Sequence, residues 1–360
     1  MIYASPLIVL VGIAAVLGII LALADHFFAN YGECRIDINN DKEFTVKGGN
    51  TLLAGLLDNK IFLPSACGGK ATCGFCKCQV KSGGGAILPT ELPFLSKLEK
   101  KDGTRMACQI KVRSDVDISI PETLLSVQEF RARVEEINDL TYDIKEAVLK
   151  LEEPETISFK PGQYIQYQIP DTVEYRAYSV SSKPSQNDRV EIITRLVPEG
   201  VCTTYLHNVL SEGDEAVVTG PYGEFYLQED SEKEIVCIAG GSGLAPIKSI
   251  VFHLFEKGTS RKITFFFGAR EVKDLYYRKE FERLAEEHEN FNYVPALSNP
   301  TQADNWTGET GFVHLCLEKY LDKTSEKEAY LCGPPVMIDA SVSVLQELGI
   351  KDKDIYFDKF

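Results

Sequence analysis

The pattern of apolar and polar positions changes along the chain, and each stretch predicts a different kind of element. Residues 6–24 (PLIVLVGIAAVLGIILALA) hold no charged side chain, and about 20 apolar residues suffice for one membrane-spanning helix. Short alternating runs separated by glycine-rich loops follow as far as residue 121. Residues 127–226 hold alternating runs such as RVEIITRL, whose spacing predicts a β-barrel. From residue 233, strands such as EIVCIAG alternate with helical segments, which predicts a doubly wound parallel sheet.

The first apolar run has two interpretations, a membrane anchor and a cleaved signal peptide. Ala22 and Ala24 before Asp25 imitate a small-residue cleavage site. However, no Lys or Arg precedes the run, and its length exceeds the roughly 7–15 residues of a signal core. The first basic residues, Arg35 and Lys42, follow the run, so the positive-inside rule places the rest of the chain in the cytoplasm. We therefore predict a single-pass anchor over residues 1–25.

The charge of the chain is strongly negative and unevenly distributed. Formal net charge is −15, which argues against a nucleic-acid partner, because phosphate binding needs clustered Lys and Arg. Residues 33–121 carry +3, whereas residues 122–360 carry −17. This contrast indicates separate modules, either docking through complementary fields or independently solvated.

Four of the ten cysteines have the spacing of metal ligands. Cys67, Cys73 and Cys76 lie in ACGGKATCGFC, and Cys108 follows in MACQ. Three thiolates in one loop with a remote fourth are typical of an iron–sulfur cluster, and neighbouring glycines let such a loop wrap the cluster. Structural zinc, the alternative, usually takes two short pairs of ligands, and only one is present. The segment resembles the β-grasp [2Fe–2S] ferredoxin domain, which implies that the four cysteines ligate the cluster.

A second group of residues suits a flavin. In Arg176-Ala177-Tyr178-Ser179, the guanidinium can hold a pyrophosphate, the ring can cover the isoalloxazine, and the hydroxyl can hydrogen-bond the reacting N5. Gly200 and Thr203 open a predicted helix whose N-terminus could receive the pyrophosphate. Alone, the motif is also compatible with an ordinary strand. Together with Pro161-Gly162-Gln163-Tyr164, it resembles the ferredoxin–NADP reductase superfamily, which implies a Greek-key β-barrel that binds FAD.

A third group suits a dinucleotide. A glycine-rich turn joins a predicted strand to a helix, which permits close approach of a pyrophosphate, although any strand–glycine–helix turn would look alike. Its residues include Gly240, Gly241, Gly243 and Pro246. The same superfamily implies that Gly268 and the Cys332-Gly333-Pro334 segment also hold the dinucleotide. It further implies that Cys332 lies beside the nicotinamide, so Ser179 and Cys332 are the predicted catalytic residues; a merely buried Cys332 is the alternative.

Two further expectations concern specificity and the C-terminus. Glu271 and Asp274 accompany Arg270 after the second strand without a basic cluster, which favours NADH over NADPH. In the superfamily a terminal aromatic residue often stacks on the flavin, which implies that role for Phe360. The alternative is a frayed tail.

The order of the modules resembles the family of F subunits of the Na⁺-translocating NADH:quinone oxidoreductases. One departure is the short stretch 166–175 before Arg176, where that family typically carries a longer insertion. The resemblance implies hydride transfer from NADH to FAD, then single electrons to a [2Fe–2S] cluster and a membrane acceptor. It implies multi-helix membrane subunits as partners, indirect quinone reduction, and a location in the bacterial inner membrane.

Two other functions use some of the same modules. The reductase component of a multicomponent oxygenase shares the three soluble modules, but such reductases usually lack a transmembrane helix. A tethered ferredoxin that only carries electrons would not need the flavin and nucleotide motifs.

The predicted fold is therefore multidomain, α+β and α/β. We predict an anchor over 1–25, a [2Fe–2S] ferredoxin-like domain over 33–124, an FAD-binding barrel over 127–228 and an NAD-binding domain over 231–360.

Overall fold

The computed structural model describes residues 10–20, 31–172, 174–323 and 326–360. The chain divides into two compact units, Met1–Val127 and Gln128–Phe360. In the first unit, residues 10–20 are helical (α1), and their large apolar side chains are more than half exposed. Within the described ranges, no helix has the length and apolar character needed to cross a membrane. The predicted anchor over residues 1–25 lies largely outside the described residues and stays a prediction.

The rest of the first unit is a mixed five-stranded sheet with one main helix. The strand order is β2-β1-β5-β3-β4, in which β1 and β5 run parallel and the other pairs antiparallel. Helix α2 begins where the Thr51 hydroxyl accepts a hydrogen bond from the Ala54 N–H at 3.2 Å. It buries Leu52 and Leu56 in the same apolar cluster as Ile36 of β1. The elements are β1 Glu33–Ile38, β2 Lys42–Lys47, α2 Leu52–Asp58, β3 Lys77–Ser82, α3 Lys97–Lys101, β4 Thr104–Met106, β5 Val116–Ser119 and α4 Glu122–Leu125.

The second unit begins with an antiparallel barrel. Its order is β10-β7-β6-β11-β8-β9, and an antiparallel bridge between Val180 and Ile192 joins the two outer strands, so the sheet closes on itself. The non-sequential order, with β11 between β6 and β8, is typical of Greek-key connections. The elements are β6 Gln128–Asp139, β7 Ile144–Glu153, β8 Tyr164–Gln168, β9 Tyr175–Ser179, β10 Arg189–Arg195, α5 Val201–Asn208 and β11 Glu215–Tyr222.

A parallel sheet completes the second unit. Its order is β15-β14-β13-β12-β16-β17, and each neighbouring pair of strands is parallel. Successive residues of β12 pack on opposite faces: Cys237 joins one apolar cluster and Ile238 the other. The elements are β12 Glu234–Gly240, α6 Leu244–Glu256, β13 Ile263–Ala269, α7 Arg278–Glu287, β14 Phe291–Leu297, β15 Glu309–Thr310, α8 Leu317–Tyr320, β16 Lys327–Gly333, α9 Pro335–Glu347 and β17 Ile355–Lys359.

The sheet order places a topological switch point between β12 and β16. The chain builds outwards from β12 to β15 on one side and then returns to add β16 and β17 on the other. Ligands of open α/β sheets bind at such a point, outside the carboxyl ends of the strands. The predicted multidomain α/β fold is confirmed for the soluble modules, with the parallel sheet covered on both faces.

A buried ion pair organises the first unit near the end of β4. The Glu91 side chain is fully buried, and its oxygens accept hydrogen bonds from the Arg105 guanidinium, the closest at 2.6 Å. They also accept from the backbone N–H groups of Leu88 and Met106, both at 2.9 Å. Arg105 in turn donates to the carbonyl oxygens of Gly84 and Gly85. The Glu91–Arg105 pair thus joins the long segment between β3 and β4 to strand β4, which leads into Cys108.

We predict that Glu91→Gln destabilises the first unit by about 3–5 kcal/mol, because it leaves a buried guanidinium without its counter-charge. Hydrogen–deuterium exchange of peptides covering β3 and β4 measures the change. The control is Lys77→Met, which removes a partly exposed pair with Glu99 (2.7 Å) worth at most about 1 kcal/mol. Equal protection in both variants would contradict the role assigned to Glu91.

The same pair predicts a pH dependence. Burial alone would raise the pKa of Glu91, but hydrogen bonds from Arg105, Leu88 and Met106 lower it below its ordinary value. The stabilisation is therefore fully present above about pH 4.3 and is lost as the pH falls through the lower folded-state pKa.

Candidate functional site

The four predicted ligand cysteines lie together at one end of the first unit. Cys67, Cys73 and Cys76 lie on the connection from α2 to β3, and Cys108 lies in the short 3₁₀ turn Ala107–Gln109 after β4. The loop needs glycine: at Gly74, φ is +72° and a Cβ would lie 2.7 Å from the Phe94 ring. The Ala107 N–H donates to the Cys76 carbonyl oxygen at 2.8 Å, which joins the two segments.

The thiols meet as two pairs. The sulfur atoms of Cys67 and Cys73 are 3.3 Å apart, and Cys76 is hydrogen-bonded to Cys108. Within the described residues, no group of three or more His, Cys, Asp or Glu side chains is arranged to hold a metal ion. A tetrahedral zinc ion needs four ligands around one point, whereas each iron of a [2Fe–2S] cluster takes two protein ligands. The paired arrangement therefore fits the cluster better than zinc.

Two of the thiols are poised to ionise. Burial alone would raise the pKa of Cys67, but hydrogen bonds from Thr72 and Cys73 lower it to about 7. The hydrogen bond from Cys76 lowers the pKa of Cys108 to about 7 as well. Because the thiolate is the ligand form of cysteine, one member of each pair is prepared to bind metal.

The predicted flavin residues lie on β9 and at the start of α5. The Tyr178 hydroxyl is hydrogen-bonded to the Cys202 thiol of α5, and burial raises the pKa of that tyrosine. The Arg176 guanidinium pairs with Glu174 at 2.7 Å and donates to the Tyr175 carbonyl oxygen at 2.8 Å. Ser179 ends β9 opposite Tyr164. The motif Arg176–Ser179 (the RAYS motif) and helix α5 are therefore neighbours.

The N-terminus of α5 fits an anionic group. Its N-cap, Gly200, makes no side-chain capping bond, which leaves the first N–H groups of the helix to other acceptors. A Cβ at Gly200 would lie 2.5 Å from the Thr203 hydroxyl, so the close turn requires glycine. An arginine, a partly buried tyrosine and an uncapped helix N-terminus together are suitable for a flavin pyrophosphate and ring.

The dinucleotide motifs meet at the switch point. A Cβ on Gly243 would lie 2.2 Å from the Cys332 carbonyl oxygen, so the turn after β12 and the end of β16 touch through their backbones. Gly240 lies against Met337, and Gly333 adopts φ +145° beside Gly240. These contacts are possible only without side chains.

A cavity of about 450 Å³ opens at this point. Four of the predicted residues line it: Gly240, Gly241, Gly268 and Pro334. The barrel contributes Asp143, Ile144 and Arg195, and the parallel-sheet part contributes further residues that include Arg270, Asp274, Ser298 and Phe312. The cavity is thus bounded by both parts of the second unit.

The other predicted residues lie elsewhere around the switch point. Gly243 and Pro246 are buried, Gly243 against the Cys332 backbone. Cys332 is fully buried in the apolar core, and burial raises the pKa of its thiol, which is therefore protonated near neutral pH. The Phe360 side chain is exposed, while its N–H lies 3.4 Å from the Gly333 carbonyl oxygen. The C-terminal strand β17 is paired with β16 as far as Lys359, and the role of the exposed Phe360 side chain stays a prediction.

Sequence reasoning missed the barrel residues that line the cavity and the tyrosine that holds the glycine turn. Arg195 and Asp143 form an ion pair at 2.8 Å, and the Tyr276 hydroxyl donates to the Gly241 carbonyl oxygen at 2.7 Å. None of these residues lies within a recognisable motif. Arg195 meets Asp143 because β10 and β7 pair with Arg195 opposite Ile144, and Tyr276 meets Gly241 within the parallel-sheet part.

Profiles of three domain families cover most of the chain. The 2Fe-2S iron-sulfur cluster binding domain matches residues 36–113, the oxidoreductase FAD-binding domain 131–226, and the oxidoreductase NAD-binding domain 237–343. These families agree with the predicted cofactors, which are FAD, NADH and a [2Fe–2S] cluster.

Full-length relatives decide the family. The F subunit of a Na⁺-translocating NADH-quinone reductase in Actinobacillus pleuropneumoniae serotype 5b is 37% identical, with 98% of each chain covered. The chain belongs to the family of these F subunits. The F subunit of Neisseria meningitidis is 35% identical over 97% of this chain and 96% of its own length. The first alignment runs over 401 positions, so the relative carries residues that this 360-residue family member lacks.

Solved structures with the same soluble modules also resemble this family member. The cytochrome P450 reductase GcoB of Amycolatopsis has a TM-score of 0.73 and 29% identity, covering 91% of this chain and 98% of its own. The ferredoxin reductase in carbazole 1,9a-dioxygenase has a TM-score of 0.71 and 26% identity with the same coverage. The chain is an NADH-dependent flavin and iron–sulfur oxidoreductase.

We predict that Asp358→Asn stabilises the second unit at pH 7–8 by about 1–3 kcal/mol. Asp358 pairs with Cys332 across β17 and β16, and burial raises its pKa to about 6, above the roughly 3.9 of an unfolded chain. The folded state therefore binds this proton more tightly, so the wild type loses stability as the pH rises from about 4 to 6. Urea unfolding followed by Trp306, the only tryptophan, measures the difference.

The control for this experiment is Asp339→Asn, which removes only an exposed pair with Lys359 at 2.6 Å. The advantage of Asp358→Asn should shrink at pH 5. A stabilisation by Asp358→Asn that does not change with pH would contradict the raised pKa assigned to Asp358.

Proposed function

We propose that this chain is the electron-input subunit of a Na⁺-translocating NADH-quinone reductase. The observation that carries the proposal is the cavity at the switch point. There the glycine turn after β12 and Pro334 after β16 face Asp143 and Arg195 of the barrel that bears the RAYS motif. A cavity bounded by a dinucleotide turn on one side and a flavin barrel on the other suits hydride transfer between two cofactors. The full-length identity to the F-subunit relatives then favours quinone reduction over an oxygenase partner.

The proposed domain boundaries are those predicted from the sequence. They are an anchor over 1–25 and domains over 33–124, 127–228 and 231–360. The exposed apolar side chains of residues 10–20 support the anchor, because soluble surfaces rarely expose such a stretch. We place the anchor in the bacterial inner membrane, with the soluble domains on the cytoplasmic side. Multi-helix membrane subunits would then receive the electrons and reduce quinone.

In this proposal, residues of the second unit bind and orient the dinucleotide and the flavin. Gly240 and Gly241 admit the dinucleotide pyrophosphate, and Arg195 supplies positive charge from the barrel side. The carboxylate of Asp274, which accepts from the Glu271 N–H at 3.0 Å, favours a ribose hydroxyl and repels a 2′-phosphate, in agreement with NADH as donor. Arg176 and the N-terminus of α5 would hold the flavin pyrophosphate. Tyr178 and Phe360 would contact the ring, and Ser179 would hydrogen-bond the reacting edge. Bound FAD supplies the conversion between the two-electron hydride and the single electrons that the cluster accepts.

The assignment of Cys332 differs from that of Ser179. The thiol is fully buried and protonated, whereas the next two residues reach the Gly240 backbone and the cavity. We therefore propose that Cys332 shapes the nicotinamide site through its backbone and its bulk.

The order of electron flow tests the proposed function. In the Cys76→Ala variant the cluster should be lost, while NADH-dependent reduction of ferricyanide by the flavin should continue. Quinone reduction by membranes that contain the whole complex should fall to background, because only the cluster can carry single electrons onwards. Iron, sulfide and flavin analysis confirms the state of the variant, and the matched control is the non-ligand Cys78→Ala, which should keep the cluster. Quinone reduction that survives without the cluster would refute the proposal.

A second experiment separates the flavin residues. Arg176→Ala should lower FAD retention, since a guanidinium–phosphate contact is lost. Ser179→Ala should retain FAD but slow hydride transfer by about 10- to 1,000-fold, because the hydrogen bond at the reacting edge is lost. Flavin content and stopped-flow flavin reduction distinguish the two. Identical defects in both variants would count against the two assignments.

A further inference from the structure

A buried polar cluster lies where helix α6 meets the barrel, outside the cavity. The Lys248 ammonium of α6 contacts Glu146 of β7 at 2.8 Å and Glu191 of β10 at 2.7 Å. The Tyr277 hydroxyl lies 3.1 Å from the ammonium and donates to Glu146 at 2.7 Å, and its ring lies under the same ammonium. The side chains of Lys248 and Glu146 are 7% and 5% exposed. We call these four residues the Lys248 cluster.

Three chain segments and a neighbouring residue link the cluster to the cavity. Lys248 lies one helical turn after Leu244, where α6 leaves the glycine turn Gly241–Gly243. Two residues before Glu146, Ile144 lines the cavity, and four residues after Glu191, so does Arg195. Tyr276, next to Tyr277, holds the Gly241 carbonyl oxygen. A shift of the cluster therefore moves the groups that receive the dinucleotide.

The same helix is joined to the segment that follows the flavin motif. The Ser249 hydroxyl, fully buried, donates to the Ser182 carbonyl oxygen at 2.7 Å. Ser182 comes three residues after Ser179. At its far end α6 carries a more exposed ion pair between Glu256 and Lys183. Helix α6 thus connects the dinucleotide turn to the segment that directly follows the strand with the proposed flavin contacts.

Stability alone does not explain the cluster. Removing charges from water costs several kcal/mol for each ion, and apolar residues of the same volume often serve at least as well. What a buried ion cluster supplies is a defined geometry, because its hydrogen bonds are satisfied in one arrangement only. Hydride transfer needs reacting atoms about 3–3.5 Å apart, and an error of about 1 Å can cost roughly 100-fold in rate.

We propose that Lys248 is a positioning residue for hydride transfer. Through Glu146, Glu191 and Tyr277 it holds α6 against the barrel and so sets the distance between the nicotinamide and the flavin. The inference rests on the proposed function. In the reaction concerned, the C4–H bond of NADH breaks and an N5–H bond forms on the flavin. Both electrons move with the hydride, so the products are NAD⁺ and reduced flavin.

The test compares variants in the full-length protein loaded with its cofactors. Lys248→Met should lower the rate of flavin reduction at saturating NADH by about 10- to 100-fold, with the NADH dissociation constant changed less than about 3-fold. The primary deuterium isotope effect with 4-deuterated NADH should rise on turnover, because hydride transfer becomes limiting. Lys248→Arg should recover most of the rate, and Tyr277→Phe should lie in between. The matched control is Glu256→Gln, on the same helix at the same interface, which should behave as the wild type.

A readout independent of activity is hydrogen–deuterium exchange over residues 241–256. Exchange should be faster in Lys248→Met and unchanged in Glu256→Gln. If Lys248→Met does not fold, Tyr277→Phe decides by the same measurements. Wild-type rates at saturating NADH in folded Lys248→Met, or in Tyr277→Phe where Lys248→Met does not fold, would overturn the inference, as would a defect confined to NADH affinity. Absence of flavin reduction by NADH in the wild type would instead refute the proposed function. The exchange data would still test whether the Lys248 cluster holds α6 against the barrel.

Discussion

The close approach of Gly243 to the Cys332 carbonyl oxygen is the constraint on which the second unit depends. A side chain at Gly243 would lie 2.2 Å from that oxygen, so the turn after β12 and the end of β16 can adjoin only through glycine. This contact lies at the switch point, and the cavity opens beside it. Helix α6 begins directly after this turn, and Lys248 lies one helical turn further along it.

Both units bury charged groups next to the places where chemistry is proposed. In the first, the Glu91–Arg105 pair connects the β3–β4 segment to the strand before Cys108. In the second, Lys248 meets two carboxylates one turn from the glycine turn. Buried ions cost desolvation energy and are satisfied in few arrangements, so they are suited to fixing geometry rather than to adding stability. Iron–sulfur ligation and hydride transfer both depend on such geometry.

Comparison with two classes of related proteins distinguishes the features common to such reductases from those found in the F-subunit family. Reductases of a cytochrome P450 and of a carbazole dioxygenase have the same soluble fold at 26–29% identity. The F-subunit relatives reach 35–37% and also align across the N-terminal part, since 97–98% of this chain is covered. The three modules therefore describe a common electron-transfer design, and the proposed membrane connection distinguishes its use here.

Sequence alone determined the features that depend on local chemistry. The four cysteines, the RAYS motif and the glycine turns are recognisable because a cluster, a flavin and a pyrophosphate each require particular residue types at short spacing. The alternation of strands and helices likewise predicted the barrel and the parallel sheet, since side-chain periodicity is a local property. Tertiary structure decided which distant residues meet. The pairing of Cys67 with Cys73 and of Cys76 with Cys108, the burial of Cys332, the arrival of Arg195 at the cavity and the Lys248 cluster all arise from long-range packing. No short sequence pattern encodes such contacts, because each joins residues that are far apart in the chain or depends on how whole elements pack together.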